Sequence, residues 1–300
     1  MVSPMRIVSL VPSSTEMLFA LGLGSEVIAV THECDHPAQA RELPKITRDA
    51  LPDDLTPGQI DAVVRTRTEQ GEPLYQLDVE ALRRLQPDLI VTQALCAVCA
   101  VSHEDVRRIA EELDSRPKVI SLDPRTLGEV LGDVRTLAEA TGTRDAGVDL
   151  IADAARRIDR VRLAVRDRPP LKVAALEWLD PVYVAGHWTP QLIEYAGGVD
   201  VLGMAGEHSE RVSWELVAAA EPDVVVVMPC GLDAPRAHAQ ALDFAERLAS
   251  IGAGQVVAVD ANAYFSRPGP RLVDGLELMA SILHPEAVPE APSEPLYVEL

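Results

Sequence analysis

Short apolar runs rich in β-branched residues alternate along the chain with segments in which apolar residues recur every three or four positions. The first pattern is typical of a buried strand and the second of a helix that buries one face. Their alternation predicts parallel sheets covered by helices. The predicted strands are 6–11, 27–31, 89–93, 118–122, 172–176, 224–228 and 255–259. The predicted helices are 13–21, 105–113, 189–195, 236–249 and 271–283.

Residues 77–91 and 212–226 follow the same order of residue types, so the chain contains an internal repeat. In each copy a capping residue, Asp78 or Ser213, begins a short helix. A proline then ends the helix before a β-branched strand. Because strands and helices flank each copy, the repeat predicts two similar lobes.

A helical stretch over 127–168 separates the two copies, with an expected break at Gly142 and a stop at Pro169 and Pro170. We predict an α/β fold with two parallel-sheet lobes bridged by one long helix and a ligand cleft between the lobes. The predicted parts are an N-terminal α/β lobe (1–124), a helical connector that includes the bridging helix (125–169), a C-terminal α/β lobe (170–285) and a tail rich in proline and acidic residues (286–300). The tail is expected to be an extended strap or a frayed end.

The formal net charge of -20 narrows the classes of partner. An acidic surface repels phosphate backbones, so we predict no nucleic-acid binding. No window approaches the roughly 20 apolar residues of a membrane span. The start of the chain has neither the apolar length nor the cleavage site of a signal peptide, which favours a cytoplasmic location. The four cysteines would then be reduced.

Candidate site residues follow from a property of open parallel sheets, which bind ligands beyond the carboxyl ends of their strands. All four cysteines follow predicted strands, whereas core cysteines are expected inside apolar runs. One CxxC pair is weaker than the two pairs usual in structural zinc sites. A bound zinc ion or iron–sulfur cluster and plain packing both stay open. The predicted metal-binding residues are His32, Cys34, Cys96, Cys99 and Cys230.

Scarce aromatic residues indicate where a ligand binds. Trp178 and Trp188 are expected in loops, where a place in the buried core is less natural and indole faces suit a flat apolar ligand. Arg267 lies in a proline-rich turn, from which its guanidinium could bind a polar substituent or form a structural salt bridge. For His187, ligand contact and polar packing stay open. The predicted ligand-binding residues are Trp178, His187, Trp188, Tyr264, Arg267 and Glu33.

Several segments resemble a known family. Residues 6–16 (RIVSLVPSSTE) and 87–91 (PDLIV) resemble the helical-backbone class, class III, of ABC-importer substrate-binding proteins. That class binds cobalamin, haem and iron siderophores. Four further segments resemble a cysteine-containing subgroup labelled cobalamin-binding proteins: 32–35 (HECD), 93–102 (QALCAVCAVS), 185–188 (AGHW) and 266–270 (SRPGP).

The resemblance covers most of the chain and implies a non-catalytic protein. Its implied ligand is a bulky metal-containing small molecule, with cobalamin or a related corrinoid preferred, and its implied partner is an ABC permease. Members of this class are secreted or lipid-anchored, whereas the start of this chain favours the cytoplasm. The alternative function is a cysteine-dependent metal, iron–sulfur or redox enzyme that acts at the same cleft.

Overall fold

The computed structural model describes residues 4–52, 54–93 and 103–300. The chain divides into two compact units. Unit 1 comprises Met1–Pro124 and Leu131–Ile151, and unit 2 comprises Arg125–Val130 and Ala152–Leu300.

Unit 1 is built on a four-stranded parallel sheet in the order β2-β1-β5-β6. A separate antiparallel pair, β3 and β4, lies in the same unit. The apolar core of unit 1 includes buried residues of the parallel sheet and of helices α3 and α4. The elements are β1 (Ile7–Ser9), α1 (Pro12–Ala20), β2 (Val27–Val30), a 3-10 helix (Ala38–Glu42), β3 (Thr47–Asp49), α2 (Pro57–Gln70), β4 (Tyr75–Leu77), α3 (Val79–Leu85), β5 (Leu89–Gln93), α4 (His103–Glu112) and β6 (Lys118–Leu122).

Two helices occupy the stretch for which one interrupted helix is predicted. They are α5 (Leu127–Thr141) and α6 (Arg144–Val165). Gly142 between them has φ +73°, a conformation that favours glycine, so the predicted break is confirmed. The division between the two units passes through both helices. The domain boundaries drawn from the sequence remain a prediction.

Unit 2 is built on a seven-stranded mixed sheet. Its order is β10-β8-β7-β11-β12-β13, with β9 also paired to β7. The elements are β7 (Leu171–Leu179), β8 (Val182–Val184), α7 (Thr189–Tyr195), β9 (Gly198–Asp200), β10 (Glu210–Arg211), α8 (Trp214–Ala219), β11 (Val224–Val227), α9 (Ala234–Asp243), α10 (Ala245–Ile251), β12 (Gln255–Ala258), α11 (Ala261–Tyr264), α12 (Leu272–Leu283) and β13 (Leu296–Tyr297).

Strand directions in this sheet differ from the prediction at its edges. Strands β7, β11 and β12 are parallel, as the pattern predicts, and the unpredicted β9 is parallel to β7. The β7–β8, β8–β10 and β12–β13 pairs are antiparallel. The additional strands have two or three residues each, too short to show a periodic pattern in the sequence. The predicted helix 236–249 is two helices, because the chain turns at Phe244.

Both copies of the internal repeat form the predicted capped helix. The Asp78 carboxylate accepts a hydrogen bond from the Ala81 amide at 2.8 Å, at the start of α3. The Ser213 hydroxyl accepts one from the Leu216 amide at 3.2 Å, at the start of α8. Among the described residues, no helix combines the length and the apolar character needed to cross a membrane.

Candidate functional site

Two loops of unit 2 are joined by backbone hydrogen bonds beyond the β8–β10 pair. Strand β8 leads into Ala185–Trp188, and β10 is preceded by Gly203–Ser209, which we call the histidine loop. The His187 amide donates to the Glu207 carbonyl at 2.6 Å, and the Gly206 amide donates to the His187 carbonyl at 2.8 Å. A side chain at Gly186 would meet the backbone of residues 207–209 at 2.5–2.6 Å, so this approach requires glycine.

Two histidines face each other across this contact. His187 Nε2 lies 3.1 Å from His208 Nδ1, and the rings are nearly perpendicular, with centroids 5.1 Å apart. One imidazole donates and the other accepts, so at least one of them is neutral. His187 has φ +52°, a left-handed conformation uncommon for residues other than glycine. The two backbone hydrogen bonds of His187 hold the residue in this conformation. Uncommon backbone conformations of this kind cluster at functional sites.

A partly buried carboxyl, Glu177, lies near the end of β7 and contacts the same loop. Burial raises its pKa to about 7, and a hydrogen bond with the Ser209 side chain opposes this rise only in part. The Glu177 carbonyl also accepts the Cys230 amide at 3.0 Å. Glu177 therefore titrates near neutral pH beside the loop that carries His208.

The two predicted stacking residues have different surroundings. Trp178 lies on β7 and not in the predicted loop, because the strand continues to Leu179. It is partly buried, and its indole N–H donates to the Asp180 carbonyl at 2.9 Å. Trp188 is only 5% exposed, and its indole N–H donates to the Phe265 carbonyl at 2.8 Å. The expectation that Trp188 lies outside the core is wrong, because its ring is the buried link between two loops. Trp178 is thus the more accessible of the two indoles.

Arg267 and Tyr264 belong to the segment that follows β12, where both are partly buried. Burial raises the pKa of Asp260 and nearby Asp233 adds to that rise, whereas Arg271 and Arg267 lower it. Asp260 also caps α11 by accepting the Ala263 amide at 2.7 Å. The Arg267 guanidinium is therefore close enough to Asp260 to interact with it electrostatically.

In unit 1, predicted site residues meet the β3–β4 pair. His32 Nδ1 lies 2.8 Å from the Thr47 hydroxyl, and its ring lies 5.4 Å from that of Tyr75. The Tyr75 hydroxyl donates to Glu33 at 3.2 Å. His32 and Glu33 are thus held by neighbouring polar side chains, one on each strand of the pair.

Cys34 does not have the surroundings of a metal ligand. Its side chain is buried, and its sulfur lies 3.1 Å from the Thr15 hydroxyl and 3.0 Å from the Thr31 hydroxyl. Burial raises the pKa of the thiol, although both hydroxyls and Lys45 oppose that rise. Because a metal binds the thiolate, this environment favours packing over coordination.

The remaining cysteine predictions gain no support as a metal site. Cys230 is exposed at the end of β11 in unit 2. Cys96 and Cys99 lie outside the described residues. Within the described part of the chain, no three histidine, cysteine or carboxylate side chains come together as a metal-binding group. Neither a zinc or iron–sulfur centre nor the cysteine-dependent enzyme is supported.

Each unit also has a surface concavity away from the predicted residues. One, of about 640 Å³, lies beside the edge strand β6 and is lined by residues of 107–121. The other, also about 640 Å³, is lined by Lys172, Asp223 and Gly254, next to the amino ends of β7, β11 and β12. In parallel sheets the amino ends are opposite the usual ligand-binding end.

Sequence reasoning missed three residues of the unit 2 site, His208 and Ser209 in the histidine loop and Glu177 on β7. The sequence pattern places His208 on the surface, because nothing in it shows the contact with His187. Glu177 carries a usable signal, since it interrupts an apolar strand directly before Trp178. A carboxyl at such a position needs partners.

Comparisons with known proteins identify the family. Residues 7–262 match the model of the family described as periplasmic binding protein. The vitamin B12-binding protein of Vibrio cholerae serotype O1 is 23% identical over 280 residues, which cover 93% of this chain and 88% of the relative. An uncharacterised ABC transporter substrate-binding lipoprotein of Bacillus subtilis is 22% identical over 295 residues, covering 96% of this chain and 82% of the relative.

Solved structures show the same fold. The periplasmic vitamin B12 binding protein of Vibrio cholerae has a TM-score of 0.67 at 22% identity, covering 93% of this chain and 97% of that one. A periplasmic haem-binding protein from Roseiflexus sp. RS-1 in its apo form has a TM-score of 0.70 at 26% identity, covering 95% and 100%. The predicted fold class, an α/β protein with two lobes, is confirmed.

The predicted cytoplasmic location is wrong. The family is that of periplasmic binding proteins, and a relative that covers most of the chain is a lipoprotein. Both descriptions are of proteins outside the cytoplasm, and they overturn the prediction. The prediction that the chain is not an enzyme is confirmed by the same family. The chain belongs to the periplasmic binding protein family, whose members are the substrate-binding proteins of ABC importers.

Proposed function

We propose that this protein binds a corrinoid of the cobalamin class and delivers it to an ABC permease. The main support is the set of relatives named vitamin B12-binding proteins, which align over 93% of this chain. A further relative, named as a cobalamin-binding protein of Halobacterium salinarum, is 26% identical to this chain over 291 residues. These names belong to the relatives, and the local chemistry of unit 2 agrees with such a ligand.

The unit 2 loops offer the groups that a large metal macrocycle would use. Trp178 presents a partly buried indole on which a flat ring could stack. Arg267 and Tyr264 offer a guanidinium and a hydroxyl for the amide or phosphate substituents of a corrinoid. In unit 1, His32 and Glu33 are proposed as polar contacts. Trp188 serves as a buried support for these loops.

Haem is the second candidate ligand. A structural neighbour with a TM-score of 0.72 is named as a haem-binding protein, at 21% identity. Haem and corrinoids share a planar tetrapyrrole with a metal at its centre, so the same aromatic and polar groups suit either ligand. Only a direct comparison of binding separates them.

We expect the purified protein to bind aquocobalamin with a dissociation constant of about 1 μM or lower, and hemin at least about tenfold more weakly. Isothermal titration calorimetry and quenching of tryptophan fluorescence measure both affinities. Stronger binding of hemin than of aquocobalamin would transfer the proposal to haem. Binding of neither ligand would contradict the proposed function.

Trp178→Ala tests the assigned contact and should weaken aquocobalamin binding by about tenfold. Trp214→Phe is the matched control, because Trp214 packs against Phe244 with ring centroids 6.0 Å apart in the core of unit 2. The control should lose some thermal stability and keep its affinity. Equal affinities of both variants and the unsubstituted protein would exclude Trp178 from the binding site.

A further inference from the structure

An exposed imidazole, His208, is presented by a loop that unit 2 holds at four points. Asp200 accepts the Gly203 amide at 2.7 Å. The two backbone hydrogen bonds with His187 fix the middle of the loop. The Ser209 side chain is hydrogen-bonded to Glu177 at its end. The ring of His208 is therefore positioned before any ligand arrives, which lowers the entropy cost of binding.

The histidine pair also allows the tautomer of His208 that a metal-binding imidazole needs. A metal-binding imidazole coordinates through one nitrogen and usually donates its other N–H to a neighbour, which fixes the tautomer. His208 Nδ1 lies 3.1 Å from His187 Nε2, so a proton on Nδ1 can be donated to His187. That arrangement leaves the lone pair on His208 Nε2. No residue in the described part of the chain forms a hydrogen bond with this atom.

We infer that His208 Nε2 is an axial ligand of the metal in the bound macrocycle, and this inference rests on the proposed function. A single imidazole can supply only one bond to a metal, which is too few to hold a free metal ion. A metal held by the four nitrogens of a corrin or porphyrin requires only axial ligands, and histidine is a frequent one. Met204 on the same loop is 69% exposed and offers an apolar contact to the ring.

Coordination is a ligand exchange without electron transfer. In diaquocobinamide, one cobalt–water bond breaks and the water leaves to solvent. His208 Nε2 donates both electrons of the new cobalt–nitrogen bond, and the oxidation state of cobalt does not change. The proton stays on Nδ1 in the hydrogen bond to His187. His187 acts as a positioning residue, because it orients the ring and does not touch the metal.

Electron paramagnetic resonance of the full chain with cobinamide tests this assignment. Cobinamide lacks the benzimidazole base of cobalamin, so an axial nitrogen detected on its cobalt must come from the protein. After chemical reduction to the cobalt(II) form, we expect each cobalt hyperfine line to split into a triplet. Protein labelled with nitrogen-15 histidine should convert the triplet into a doublet.

His208→Ala should abolish the splitting and weaken cobinamide binding by about tenfold. His187→Asn keeps a residue that tolerates a positive φ but removes the ring acceptor. It should weaken binding by about tenfold and broaden the splitting, as expected for loss of a partner that orients a ligand. His238→Ala, on α9, is the matched control and should match the unsubstituted protein in both measurements. Circular dichroism verifies that each variant is folded.

Two failures are distinguishable. If the unsubstituted protein does not bind cobinamide or aquocobalamin in calorimetry, the proposed function fails and the axial ligand with it. If it binds cobinamide but shows no nitrogen splitting, only the assignment of the axial ligand is overturned. Splitting that persists unchanged in His208→Ala overturns that assignment as well.

Discussion

At the scale of single residues, the unit 2 loops depend on a close approach at Gly186 and a positive φ at His187. Any side chain at Gly186 would push the histidine loop away, because the atoms it would meet belong to the backbone. The backbone bonds that hold His187 at φ +52° would be lost in the same displacement. The distance between the two imidazoles is therefore set by a residue that has no side chain.

Glu177 should make the stability of the protein depend on pH. Its pKa is raised to about 7 in the folded state from an ordinary value of 4.5, so the folded state binds this proton more tightly than the unfolded state. The stabilisation that protonated Glu177 contributes to the folded state is fully present below pH 4.5, and it is lost as the pH rises through about 7. We expect a loss on the order of 2 kcal/mol in the free energy of unfolding, smaller than a fully buried group would give.

Urea unfolding of Glu177→Gln between about pH 5 and pH 8 tests this effect. Glutamine does not ionise, so the variant should gain stability relative to the unsubstituted protein as the pH rises. Glu215→Gln is the control, because hydrogen bonds from its own backbone amide and from Ser213 lower the pKa of Glu215. It should show no such gain. A difference between Glu177→Gln and the parent that stays constant with pH would contradict the prediction.

Individual residues show where sequence reasoning ends. Trp178 was expected in a loop after a strand, but it lies on β7, which extends further than the apolar run predicts; its contact with a ligand remains a prediction. The burial of Trp188 was not predictable, because its partner, the Phe265 carbonyl, is distant in the chain and carries no sequence signal. The contact between His187 and His208 depends in the same way on the pairing of β8 and β10, and β10 has only two residues.

At the scale of elements, hydrophobic periodicity predicted helices and strands of five or more residues well. The helix Thr189–Tyr195 and the strand Lys118–Leu122 have the predicted bounds. The β3–β4 pair was missed, although it holds His32 and Glu33 in place. Its strands have three residues each and gain their stability from cross-strand partners and not from a pattern of their own.

The helix caps of the repeat can be tested separately. Asp78→Ala and Ser213→Ala each remove the side chain that accepts an amide hydrogen at the start of α3 or α8. Each should lower the free energy of unfolding by about 1 kcal/mol. Thermal or chemical unfolding measures the loss, and Asp78→Asn should restore most of it because an amide oxygen is also a good cap. An unchanged stability of both alanine variants would show that these caps are dispensable.

At the scale of the whole molecule, the net charge of -20 is the dominant electrostatic property. Self-repulsion of like charges destabilises a compact state, and salt screens it. Local ion pairs oppose this only weakly, because most of those in the described part of the chain are exposed. Arg157 is an exception, since it forms a partly buried ion pair with Glu277 at 2.6 Å and another with Asp274.

Sodium chloride should therefore stabilise the protein. Raising its concentration from about 0.05 to about 0.5 M should increase the melting temperature by a few degrees, as screening reduces the repulsion. Differential scanning calorimetry measures the change. Arg157→Met should reduce the melting temperature at both salt concentrations, because it leaves two partly buried carboxylates without their cation. A melting temperature that falls with added salt would show that attractive pairs dominate.

Part of the segment expected to be a strap or frayed end is a strand. β13 pairs with β12 in the antiparallel direction, and the following Val298 is buried and donates its amide to Val256. The segment thus occupies the outer side of β12, whose amide and carbonyl groups would otherwise be available to another chain. Shortening the protein here for crystallisation, or attaching an affinity tag without a spacer, would open that side to edge-to-edge polymerisation.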